Sequence, residues 1–108
     1  YIAMLFASVD GISKVGSYDG DSSNNVTITT GFAPRFLIIK RVDNSNNWWV
    51  FDTTRGWGAG DDEGLRLDTN DANYDDDIGA PTSTGFTLEK GLSWTCATGG
   101  KYIYYAHA

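Results

Sequence analysis

The chain offers few groups that could do covalent chemistry. Its one histidine, His107, stands second from the end, and its one cysteine, Cys96, lies in the strand-like run Ser93–Ala97. Neither has a neighbour in sequence that could serve as its base or orient it, so no nucleophile–base arrangement emerges. Cys96 reads as a small buried hydrophobe. Carboxylates are abundant, fourteen in all. Two of them about 5–9 Å apart could hydrolyse a glycoside, yet among so many acids no pair stands out. The expectation is a protein that is not an enzyme and carries no catalytic residue.

Binding chemistry is better represented. Calcium takes about six to eight oxygen ligands at about 2.3–2.6 Å, and loops rich in Asp and Asn supply them. Two clusters qualify: Asp61, Asp62 and Glu63, and then Asp71, Asn73, Asp75, Asp76 and Asp77. The second is the expected place for a Ca²⁺, although neither has the spacing of an EF-hand loop, and a solvated acidic loop is the competing reading. No other cofactor is expected. A sugar would instead stack on an exposed aromatic face while carboxylates and amides take its hydroxyls. Trp57, set in Gly56-Trp57-Gly58, is the expected platform, with Asp61, Asp62 and Tyr74 converging on it. Packing is the competing role for Trp57. Trp48, Trp49 and Trp94 stand in strand-like contexts and are expected in the core.

Charge narrows the partners. The formal net charge is −6. Between Asp52 and Asp77 eight Asp and one Glu face only Arg55 and Arg66, and no stripe of Lys and Arg occurs elsewhere. Such a surface repels phosphate, which excludes nucleic acid. No run of about 18 apolar residues exists, so membrane insertion is not expected.

These groups must be positioned by strands. Thirteen Gly, two Pro and an aromatic content of 14% suit short strands, tight turns and a core filled by large rings. Strand-like runs occur at Tyr1–Ala7, Lys14–Tyr18, Val26–Thr30, Arg35–Val42, Asn47–Thr53, Leu65–Leu67, Thr84–Leu88, Ser93–Ala97 and Lys101–Ala106. Pro34 forbids a helix across the junction before Arg35. About eight short strands predict an all-β chain: one compact antiparallel β-sandwich over residues 1–108, jelly-roll-like, with no helix longer than about two turns. Phe36, Ile38, Trp49, Phe51 and Phe86 are expected in its core. The first run, Tyr-Ile-x-x-x-x-Ala, echoes the last, Tyr102 to Ala108. Residues 1–7 are therefore read as equivalent to the closing strand of a preceding unit, in a longer or repeated protein.

The order of motifs carries a resemblance. Gly31-Phe32-Ala33-Pro34 leads into Phe36-Leu37-Ile38-Ile39, and Trp48-Trp49-Val50-Phe51 follows. Leu65-Arg66-Leu67, Gly85-Phe86-Thr87-Leu88 and Tyr102-Ile103-Tyr104-Tyr105-Ala106 come after. Over most of Val15 to Ala108 this series resembles a domain of bacteriophage tail-fibre and virion surface proteins of the marine-phage type. The resemblance implies a structural or adhesive module on the virion surface, among other virion proteins and in contact with host-surface glycan. It also implies a homo-oligomer, a trimer by analogy with fibres. The alternatives are a stand-alone carbohydrate-binding or capsid-decoration module, or a subunit of an extracellular β-rich filament.

Overall fold

Period-two alternation of apolar and polar side chains resolves into eight strands in the computed structural model, which describes all residues from Tyr1 to Ala108. They are β1 (Ser13–Asp19), β2 (Val26–Thr29), β3 (Phe36–Arg41), β4 (Trp48–Asp52), β5 (Asp62–Arg66), β6 (Tyr74–Asp76), β7 (Gly85–Leu88) and β8 (Lys101–His107). All strand pairs are antiparallel. Six strands form one sheet in the order β1-β8-β3-β4-β5-β6, and β2 with β7 forms a second sheet that covers part of it. The only helix is a single 3-10 turn, Thr53–Arg55. The chain is an all-β, antiparallel sandwich.

Cross-strand register decides which side chains meet. Leu37 stands opposite Phe51 and Ala106, and Ile39 opposite Trp49 and Tyr104, so these residues share one face. That face receives Phe86 and Leu88 from β7, together with Ile78, Trp57 and Cys96 from loops. Trp49, Phe51 and Phe86 are buried as expected. Ile38 is buried as expected, at 8% exposure, but on the opposite face and outside the main cluster; Phe36 is a correction, since it shares that opposite face and is only half-buried. Four consecutive apolar residues hid the phase of β3, and Leu37 and Ile39 are its core residues.

Two expected strands are absent. Ser93–Ala97 curls, because the Thr95 and Cys96 amides both donate to the Leu92 carbonyl, at 3.1 and 2.7 Å. Tyr1–Ala7 forms no strand either. The main chain from Tyr1 to Phe6 makes no hydrogen bond, and the segment lies as an arm beside the outer face of the larger sheet. One unexpected strand, β6, sits inside the acidic region and pairs with β5.

Candidate functional site

Trp57 is the first correction. It is only 2% exposed and meets Phe86 edge-on, with ring centroids 6.2 Å apart. Flanking glycines were expected to leave it outside, but the local bonds turn it inward. Asp52 Oδ1 accepts from the Thr54 amide at 2.8 Å, the Trp57 amide donates to the Asp52 carbonyl at 3.1 Å, and Gly56 takes φ +111° to make the bend. A buried ring offers no face to a sugar.

Asp62 is the second correction. It is 1% exposed and ties two loops together: its Oδ1 accepts from the Gly58 amide at 2.8 Å, and its Oδ2 from the Ile78 amide at 3.0 Å. Burial pushes its carboxyl from the ordinary 3.8 up to about 6. The two amide hydrogen bonds oppose that rise, and the negative charges of Asp77 and Asp61 add to it. With both oxygens occupied by backbone, Asp62 is a latch. Asp61 is exposed beside it.

The acidic run around β6 does not gather as a metal centre, a further correction. No group of three or more His, Cys, Asp or Glu side chains comes together to hold a cation. Asp71 pairs with Arg66 at 2.6 Å, and Asn73 bridges Arg55 and Glu63 at 3.1 Å each. The Asp77 carboxylate accepts from the Gly79 amide at 3.1 Å. Asp75 and Asp76 lie in β6, where alternation sends successive side chains to opposite faces. The oxygens are divided among separate tasks.

Tyr74 belongs elsewhere, in a group no sequence motif announced. It is 42% exposed and meets Trp49 at 5.7 Å and Trp94 at 5.3 Å, both edge-on, while Trp94 and Trp49 lie 4.2 Å apart. The Arg66 guanidinium lies 5.2 Å from the Trp49 ring and 5.9 Å from the Tyr74 ring. Gly64 makes room for the stack: a Cβ there would stand 2.8 Å from the Phe51 ring and 3.3 Å from Trp49. Trp94 is anchored through its neighbour, since the Ser93 carbonyl accepts from Arg41 at 2.9 Å, Tyr102 at 3.0 Å and Asn46 at 3.1 Å. The buried Trp49 Nε1 and Arg66 Nε have no partner in the protein. The result is a surface of aromatic edges with a guanidinium, a carboxylate and amides around it. No sequence signal marked Arg66: between Leu65 and Leu67 it reads as an outward residue, whereas the register of β5 sets it opposite Trp49.

Cys96 and His107 lie on opposite sides of the larger sheet. Cys96 is in the core, where burial pushes its thiol up. His107 stands opposite Phe36 on the outer face, half-buried against Phe36 and Tyr105.

The fold and this surface define a small β-sandwich module with an aromatic wing at one end of its larger sheet. Residues 1–108 match the model of the family described as a domain of unknown function, DUF7483, and the chain belongs to that family. No curated protein and no solved structure matches it.

Proposed function

We propose that the domain is a non-enzymatic structural and adhesive module of a phage virion appendage, and that it holds host-surface carbohydrate at the Tyr74–Trp94–Arg66 wing. The wing is the observation that carries this reading. Sugar rings present patches of C–H that pack on aromatic faces and edges, and their hydroxyls need fixed donors and acceptors. Tyr74 and Trp94 supply the first, and Arg66, Asp71 and Asn46 supply the second. Recognition groups positioned by a rigid scaffold are a common arrangement. The resemblance to virion surface proteins supplies the setting.

The test is binding of the purified domain to host cells and to an array of surface glycans. Tyr74→Ala should weaken binding by at least about tenfold, which is about 1.4 kcal/mol, and Tyr74→Phe should keep most of it. Equal binding by the wild type and Tyr74→Ala would refute the glycan site. An antibody to the domain should decorate an appendage on purified particles, and particles left bare would refute the virion setting.

A further inference from the structure

The outer face of the larger sheet carries an apolar patch, bordered by Lys40, Asp19 and Lys101, where one face of an antiparallel sheet is ordinarily polar and solvated. Val15, Ile38, Trp48 and Ile103 line it, and with the apolar arm they bound a cleft of about 570 Å³. The arm is held at its root. Phe6 stacks on Tyr105 with centroids 4.2 Å apart, the Ser13 hydroxyl donates to the Ala7 carbonyl at 2.7 Å, and the Val15 amide donates to the Ser8 hydroxyl at 3.1 Å. Beyond the root nothing holds it: Ile2 and Leu5 are 96% and 94% exposed.

The main chain is unpaired in the same place. Tyr1 to Phe6 make no backbone hydrogen bond, and β1 is an edge strand. The Gly20 amide donates to Gly100, on the β8 side, and the Val15 amide points away from it. By alternation the Ser17 and Asp19 amides also point outward, leaving an open edge of the kind that accepts another strand.

We infer that this face pairs with a second copy of the chain, the arm of each copy lying in the cleft of the other along the free edge of β1. Both halves of the contact are present in one chain, both are unfilled, and residues 1–9 bear no charged side chain. The acid that would set two copies against each other is concentrated between Asp52 and Asp77, outside the residues that line the cleft. Arm root and cleft adjoin, so a two-fold axis beside the root would make both contacts at once. The inferred assembly is that closed pair, in place of the trimer suggested by analogy with fibres. Each arm brings about 500 Å² of apolar surface, and the two contacts together bury on the order of 2,000 Å², the size of a stable interface. Strand addition at β1 then pairs this free main chain. The inference is independent of the aromatic wing, which lies on the other face of the sheet.

Sedimentation of the full chain over a micromolar range tests it. The wild type should pair. Leu5→Asp on the arm and Ile103→Asp on the sheet should each weaken pairing by at least about tenfold. Both positions are exposed, Ile103 at 39%, so near-ultraviolet dichroism should stay that of the wild type. Ile2→Asp serves as a second arm variant should Leu5→Asp misfold. Mixing Leu5→Asp with Ile103→Asp should restore a pair that neither forms alone, because the mixed pair keeps one intact arm facing one intact sheet wall. A wild-type monomer, a threefold mass, variants that pair like the wild type, or a mixture that stays monomeric would each overturn the inference.

Discussion

Asp62→Asn separates the charge of the buried latch from its shape. The folded carboxyl titrates at about 6 against an ordinary 3.8. A raised folded value means that between those two values the folded chain holds a proton the unfolded chain has lost. The stability this contributes is fully present below about pH 4 and is lost as pH rises through 6. From these two values the gain between pH 7.5 and pH 4.5 is about 2 kcal/mol, or about 8–15 °C of melting temperature for a domain of this size. The variant has nothing to titrate at this position. Its carbonyl can accept from only one of the Gly58 and Ile78 amides, and its NH₂ meets the other. At neutral pH it therefore loses about 1–3 kcal/mol from the unmet amide, while relief of the buried charge offsets part of that loss. The assay is urea denaturation of both proteins from pH 4.5 to pH 7.5, read as the difference between wild type and variant, so that the other acids cancel. The wild type should gain on the variant as pH falls. Parallel profiles would show that Asp62 is not a buried, proton-holding group, and the reasoning would fail.

Three other outcomes follow from the packing. Trp57→Ala should lower stability by about 3–5 kcal/mol, because it empties a site under Phe86; an unchanged melting temperature would return Trp57 to the surface. Neither EDTA nor added Ca²⁺ should move the melting temperature, since Asp71, Asn73 and Asp77 are already engaged with Arg66, Arg55, Glu63 and Gly79, and a rise with Ca²⁺ would refute that division. Cys96, wholly buried with its thiol shifted upward, should ignore a thiol reagent until the chain is unfolded and then react once per chain; fast labelling of the native protein would place it at the surface.

Strand existence was legible wherever side chains alternated. Val26–Thr29, Trp48–Asp52, Gly85–Leu88 and Lys101–His107 lie within a residue or two of their sequence readings, because burial on one face writes a period of two. The phase of β3 was not legible, since a run of four apolar residues has no polar member to mark the outside. Composition misled at both ends. Tyr1–Ala7 has strand residues but no paired partner, and Ser93–Ala97 is bent by a carbonyl that accepts two amides. The wing was invisible for another reason. Trp49, Arg66, Tyr74 and Trp94 come from β4, β5, β6 and a loop, and only the register of β4 with β5 and of β5 with β6 brings them together. Trp57 failed because flanking glycines were taken as freedom, whereas they let the backbone bend sharply enough to drive the ring inward.

β8 is the last strand of the domain in chain order, yet it lies between β1 and β3. Those two strands share no ladder with each other; each is zipped to β8 over its full length. As the chain is synthesised, β3, β4 and β5 can assemble locally, while β1 waits with no strand on either side until nearly all of the domain has emerged. The contacts that complete the larger sheet are thus among the longest in sequence separation that this chain could make. Closing them is the slow step that topology imposes on such a fold, and it leaves the unfinished module sticky at two strand edges. Cooperativity has the same root: pulling out β8 splits the sheet at its middle, so the domain has no way to fray from that end and keep the rest.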